Sequence, residues 1–413
     1  MTTDVETGES DDILDQVVTV DLADPRLYAG ERPERLWATM RRAGTPLLMT
    51  GLREHWAVTR YEQVREVFRA SHLLSSQKGN RLGEKPSDIA AGEAAGGLSM
   101  LVADDPAHAR MRRALESAFS PRALGRLTDS THALARRLVS DAAAQPSVDF
   151  VDSIVTPLLT TVACDLLGIP QSDRPRLAEL SQMAFSGAGH VTATAQMTAH
   201  VELLAYCDEL LTSKYRSPGD DLATTLAQAQ RDGDAMSRSA AIMNCHDFIL
   251  GGNASARYVL TAIPLTMVRH RQFWASLRAG DADFGVAAEE LLRYEAPVNH
   301  VMRSLLDDLE IGGVTMRRGE LVTLWLRSAN RDADVFDDPE HMSLSPRSRP
   351  HLSFGHGPHY CIAAYLGRLE IASLLRALAD LVDDAELAGE PRRMESSFLR
   401  GYRSVPLTLH GKG

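Results

Sequence analysis

Cysteine is scarce in this chain: Cys164, Cys207, Cys245 and Cys361 are the only four in 413 residues. They stand far apart with no paired spacing, which excludes a disulfide framework and suits a reducing compartment. Basic charge is not in excess either. Lys and Arg number 44 against 55 Asp and Glu, a formal charge of −11, which argues against nucleic acid held by non-specific electrostatics. Apolar runs are short, and none reaches the ~18 residues of a membrane span. The acidic stretch from Met1 to Asp12 has no apolar run, so neither a signal peptide nor a membrane anchor is expected. A cytoplasmic protein without a membrane partner follows as the expectation. Glycine (29) and proline (19) are ordinary in number, which excludes collagen and low-complexity scaffolds.

What is present is a chain long enough to bury a large core around an internal cavity. Residues 1–20 read as a flexible acidic tail and 21–413 as one domain. Pro46–Thr50 and Trp56–Thr59 flank Gly51 as a short hairpin. Residues 74–97 are rich in Ser, Gly, Lys and Glu, and predict a long loop of the kind kept for function. Apolar residues at helical spacing then dominate, over 108–119, 123–144, 154–167, 175–183, 197–214, 222–231, 237–270, 273–279 and 286–294. Short strands are predicted at 309–311, 314–316 and 321–326, a coil over 331–354, and a last strong helix over 362–381. The fold class is mainly α with small β-sheets.

The most informative window is His351-Leu-Ser-Phe354-Gly355-His356-Gly357-Pro358-His359-Tyr360-Cys361-Ile362-Ala363. A Gly- and Pro-rich loop delivers one cysteine to the start of an apolar helix, whose N-terminus favours a thiolate. Glycines let backbone approach a flat ligand, and free N–H groups can bond the sulfur. A thiolate held this way suits the proximal side of a haem iron. Three other readings stand beside it: a buried structural cysteine, a zinc site built with His351, His356 and His359, and a thiol nucleophile with a distant histidine.

Phe354-Gly-x-Gly-x-His359-x-Cys361 resembles the haem-binding signature of the cytochrome P-450 superfamily in its bacterial form. Ala363 departs from it, where the family usually has glycine. Other family marks follow in order. Glu290-Leu-Leu-Arg293 matches E-x-x-R, whose charges share one helical face and act structurally. Pro339-Glu340-His341-Met342 stands where P-E-R-F is usual, so the third arm of the Glu-Arg-Arg network falls to His341, and a weaker or pH-dependent bond is expected. His108 and Arg112, at i and i+4, match the residues that hold haem propionates, as do Arg303 and His359. Ser328–Asp332 and Trp56–Tyr61 match further segments, so the resemblance runs from about residue 25 to 408. It implies the single-domain P-450 fold, with haem b between the long oxygen-activating helix and the cysteine-loop helix. The cofactor-binding residues implied are His108, Arg112, Arg303, Phe354, Gly355, His359 and Cys361, the last as the metal ligand.

The oxygen-activating helix carries Ile249-Leu250-Gly251-Gly252-Asn253-Ala254-Ser255 at its centre. Each mid-helix glycine costs about 1 kcal/mol, so either tight helix packing or a groove for dioxygen requires them. The family usually has an acid–alcohol pair here. This chain has Ala254 for the acid and Ser255 for the threonine, leaving Gly252, Asn253 and Ser255 as the catalytic candidates. Either a substrate hydroxyl or amine with water completes the relay, or Asn253 positions that water, or the reaction needs less proton delivery. Asp247, two turns upstream, is a further acid, more often simply solvated.

Family topology places Asn299, His300 and Arg400 around the distal pocket, which implies a small, polar natural-product or biosynthetic-intermediate substrate, free or carrier-bound. With no flavin or iron–sulfur segment in the chain, electrons are expected from a ferredoxin and ferredoxin reductase. Arg110 and Arg113 are candidates to meet the ferredoxin. The implied activity is a haem-thiolate monooxygenase using O2. The alternatives are a haem-binding sensor or assembly partner, and a peroxide-using haem enzyme.

Overall fold

The structure, a computed structural model, describes residues 19–184, 191–231, 235–345 and 350–412. Nearly all of the acidic tail lies outside them. The side chains of residues 231 and 252–254 are likewise outside the description, and with them Gly252 and Asn253.

Five helices position the site: α1 (Ala107–Leu115), α2 (Ala193–Arg216), α3 (Arg238–Leu260), α4 (Phe284–Glu295) and α5 (Ala364–Leu381). Their starts are capped by side chains. Ser237 Oγ accepts from Ala240 N–H (3.2 Å), and Asp283 Oδ1 accepts from Val286 N–H (2.8 Å). The expected single helix over 237–270 is two, Arg238–Leu260 and Ile263–Arg269. Pro264 causes the break: its ring would collide with the carbonyl four residues back, and it has no N–H to donate. Helix α5 packs against Thr128–Ala143 and α4. It buries Ile371, Leu374, Leu375 and Leu378 in the main core cluster. Among the described residues no helix is long and apolar enough to cross a membrane.

The main sheet has five short strands: β1 (Leu47–Met49), β2 (His55–Val58), β3 (Leu74–Ser75), β4 (Val301–Leu305) and β5 (Leu321–Leu324). Their order is β1-β2-β5-β4-β3; the β2–β5 pair is parallel and the others antiparallel. The hairpin expected around Gly51 is present, as are Leu309–Ile311 and Val314–Met316. The expected loop over 74–97 is instead built from β3 and a helix, Pro86–Ala94. That helix buries no residue, so it carries no apolar stripe to announce it.

His300, immediately before β4, shows how tightly this sheet face is closed. Its Nε2 accepts the Leu82 N–H (3.1 Å), and its ring lies 4.8 Å from Trp325. Burial, then the nearby His55, pushes its pKa down to about 3. The unfolded imidazole takes up a proton near pH 6.5 while the folded one refuses it. Stability is therefore complete above pH 6.5 and is lost progressively as the pH falls toward 3. His300→Gln, which cannot titrate, is expected to flatten the decline of the melting temperature between pH 6.5 and 4.5. An unchanged acid limb would refute this.

Candidate active site

The cysteine loop is built by its glycines. Gly355 (φ 72°) and Gly357 (φ 76°) adopt left-handed backbone that other residues resist. The Cys361 N–H then reaches back to the Phe354 carbonyl (2.9 Å), which closes the loop before α5. The Phe354 ring packs over α5, where a Cβ on Gly367 would stand 3.7 Å from it, and the Arg368 guanidinium lies 4.6 Å above its centroid. Burial pushes the Cys361 thiol up, while a hydrogen bond from the Ala363 backbone and the charges of Arg112 and Arg368 pull toward the thiolate. A cation bound at the sulfur would complete what those donors begin.

The loop is anchored to α4. Asn330 accepts the Leu352 N–H at Oδ1 (2.7 Å) and donates to Ser353 Oγ (2.8 Å), which donates in turn to the Leu292 carbonyl (2.6 Å). Glu289 accepts two bonds from Arg368 (2.6 and 3.0 Å) and faces His351 at 3.4 Å. Its pKa falls to about 2: burial works against the carboxylate, but His351 and Arg368 outweigh it.

Glu290 and Arg293 form a two-pronged buried ion pair (2.8 Å each). The third arm expected from His341 is not a side chain at all. Arg293 instead donates to the carbonyls of Asn330 (3.1 Å), Pro339 (2.9 Å) and His341 (3.1 Å), while Glu290 accepts the Ser343 N–H (2.8 Å). The His341 ring points outward to Asp338 (2.7 Å). The bond expected to weaken or to depend on pH is therefore replaced by backbone bonds that do not titrate.

Beside the cysteine loop, four nitrogen side chains from three distant segments meet. The rings of His108 on α1 and His359 in the loop lie 4.1 Å apart. Arg112 donates to the Tyr360 carbonyl (2.8 Å). Arg303 is 6% exposed, and its one hydrogen bond among the described residues goes to the Met302 carbonyl (2.7 Å). The His108 Nε2 is buried without a hydrogen-bond partner among the described residues. Burial first, then the charge of Arg303, drives the His359 pKa down to about 2. A buried guanidinium beside two imidazoles, with a single hydrogen bond among the described residues, is an anion site.

On the other side runs α3. Gly251 is exposed at mid-helix, and a Cβ built on it would meet nothing within 4 Å. Among the described residues no helix packs against this position, so tight helix packing is not what requires the glycine there. Ser255, one turn on, is half-buried.

The comparisons with known proteins agree with this geometry. Residues 287–378 match the family described as "Cytochrome P450". The chain is 30% identical over 397 residues to "Cytochrome P450 NovI" of Streptomyces niveus, covering 95% of this chain and 97% of that one. The chain belongs to the cytochrome P450 family. It is also 31% identical over 405 residues to the "Steroid C26-monooxygenase" of Mycobacterium tuberculosis, covering 95% and 93% of the two chains. The crystal structure of P450 OxyD, described as involved in the biosynthesis of vancomycin-type antibiotics, superposes with a TM-score of 0.87 at 28% identity, covering 95% of this chain and all of that one. The P450 fold and a haem-dependent monooxygenase activity follow, and the cofactor of the family is haem b with a cysteine thiolate.

Three expected pocket residues of this P450 are corrected. Arg400 spends its guanidinium on Glu34 (3.1 and 3.0 Å) and the carbonyls of Tyr28 and Gly30 (2.7 Å each). His300 is sealed between Leu82 and Trp325, and buried Asn299 donates to the Ser397 carbonyl (3.1 Å). Together they form a seam tying residues 396–400 to the sheet, not a polar lining. What sequence reasoning passed over is a buried polar chain on α2 and α3, through His200 and His246; its visible signal was a histidine beside Asp247.

Proposed function

We propose that this P450 uses Cys361 as the axial thiolate of its haem and hydroxylates a small natural product or biosynthetic intermediate, with electrons from a ferredoxin and its reductase. The observation that carries the haem placement is Arg303, buried beside His108, Arg112 and His359 with no direct ion pair among the described residues and only the charge of Asp104 at longer range, next to the only cysteine in a glycine loop. These four side chains suit two propionate carboxylates. When bound, haem supplies the activation of dioxygen that amino-acid side chains cannot perform. The protein's own tasks are then to hold the thiolate with the Ala363 backbone N–H, to fix the Cys361 backbone through the Phe354 carbonyl, and to present Gly251 as the low wall of the oxygen groove. Ser255 offers the alcohol that moves a proton. The antibiotic-biosynthesis role in the description of OxyD supports a secondary-metabolite substrate. Arg110 and Arg113 are the candidate contacts for an acidic donor.

The reduced carbon monoxide spectrum tests the thiolate, and turnover with a ferredoxin system against turnover with peroxide tests the electron source. Product from peroxide alone would favour the peroxide-using reading. A second expectation follows from the buried charge. Arg303→Leu should make the haem-free protein equally or more resistant to urea, because a buried charge offset only at longer range by Asp104 disappears. The same change should speed haem transfer to apomyoglobin by about tenfold, as outer-shell losses do. Destabilised apoprotein with unchanged haem retention would contradict the placement.

A further inference from the structure

Ala254 leaves the oxygen helix without its usual acid, yet one turn before Gly251 stands Asp247, and it is not simply solvated. Ser99 Oγ donates to its Oδ2, and its Oδ1 lies 3.4 Å from His246 Nδ1. His246 Nε2 lies 3.1 Å from Nδ1 of His200, across the junction of α3 with α2. A carboxylate only accepts, so His246 carries its proton on Nδ1 and its Nε2 accepts from His200 Nδ1–H. The direction of the chain is thereby fixed, from the half-buried His200, whose Nε2 is the nitrogen not engaged by His246, through buried His246 to Asp247.

Helical spacing puts Asp247, Gly251 and Ser255 on one face. Asp247 and Ser255 are separated by roughly 12 Å of helix rise, and the open space at Gly251 lies between them. That space borders exposed helix backbone at Gly251, where each carbonyl keeps a second lone pair that can accept from water.

We propose that His200, His246 and Asp247 form a proton-entry path to the oxygen-side face of α3, taking over the task of the acid absent at position 254. The inference rests on the monooxygenase reading. Each turnover consumes one dioxygen, two electrons from the reductase chain and two protons; one oxygen atom enters the substrate and the other leaves as water. The path supplies only protons: one taken from water at His200 Nε2 for each passed on by Asp247. Other groups bearing on it are Ser99 and, from the segment before Pro86, Arg81. Burial, then His246 and Arg81, lowers the His200 pKa to about 4, so its imidazole passes a proton on without storing it.

The test uses dioxygen with reduced ferredoxin as the source of the second electron, in the full-length holoenzyme. The pre-reduced protein is mixed with air-saturated buffer containing the reduced ferredoxin, and the return of the ferric spectrum is followed in H2O and in D2O. Wild type is expected to slow in D2O. Asp247→Asn, whose amide oxygen still accepts from Ser99, is expected to slow the return at least about tenfold and to abolish the isotope effect. Asn244→Ala cuts the neighbouring bond from Met100 N–H to Asn244 Oδ1 (3.0 Å) and leaves the path intact, so it should loosen the same loop yet keep the isotope effect. Nitrogen-15 histidine spectra of the diamagnetic carbon monoxide form give a readout independent of turnover: His246 protonated on Nδ1 in wild type, and no fixed tautomer in Asp247→Asn. A wild-type rate and isotope effect in Asp247→Asn, or a His246 protonated on Nε2, overturns the path. A missing thiolate band in the wild-type carbon monoxide spectrum overturns the haem-thiolate reading itself.

Discussion

Cys361→Ser is expected to abolish the thiolate-type carbon monoxide band and to reduce monooxygenase turnover by more than the roughly 100-fold that outer-shell changes cost in metal sites. The loop itself should survive. Its closing bond is the backbone N–H of residue 361 to the Phe354 carbonyl, and the left-handed turns belong to Gly355 and Gly357, so serine changes one atom inside an intact cradle. The consequence is chemical. A serine hydroxyl stays protonated where a cysteine thiol, although burial raises its pKa, gives up its proton as a cation binds at the sulfur, with the Ala363 N–H and the charges of Arg112 and Arg368 assisting. Without the thiolate the electron push that favours O–O cleavage is lost. Far-ultraviolet circular dichroism should be unchanged and haem partly retained by His108, Arg112, Arg303 and His359. A thiolate-type band persisting in Cys361→Ser would mean that another cysteine serves. That outcome is opposed by the burial of Cys164, Cys207 and Cys245 in the helical core.

The parts of this site that were legible in the sequence are those carried by short, local patterns. The glycine loop before Cys361 and the i, i+3 pair Glu290–Arg293 are each written within a few residues. The convergence of residues 108, 303 and 359 is not local, and only the family resemblance brought them together. Arg400 was misassigned for the same reason: its partners, Glu34 and the carbonyls of Tyr28 and Gly30, lie at the opposite end of the chain, and nothing near residue 400 announces them. Strand β4 escaped because four of its five residues are buried, which erases the alternation that marks a half-exposed strand. Helix Arg32–Ala43 was passed over although Pro33, Trp37 and Met40 are buried at helical spacing, a signal that was there to be counted.

Arg293→Ala is expected to cost about 3–5 kcal/mol, the usual penalty for leaving one partner of a buried ion pair uncompensated. Its distinctive feature is that a second substitution should not restore the loss. Replacing a buried pair with apolar residues of similar size is often neutral, because both charges vanish together. Here the guanidinium also serves the carbonyls of Asn330, Pro339 and His341, and Glu290 serves the Ser343 N–H. Glu290→Leu with Arg293→Met removes the charges but strands those backbone groups, each costing about 1–3 kcal/mol when buried and unpaired. The double variant should therefore remain several kcal/mol less stable than wild type in urea unfolding. It should also take up haem poorly, since the coil held by Arg293 leads directly into the segment that Asn330 pins at Leu352 and Ser353. Recovery to wild-type stability would show that the pair acts through its own charges alone. Persistent instability with lost haem uptake would show that Arg293 acts as the clamp that sets the cysteine loop.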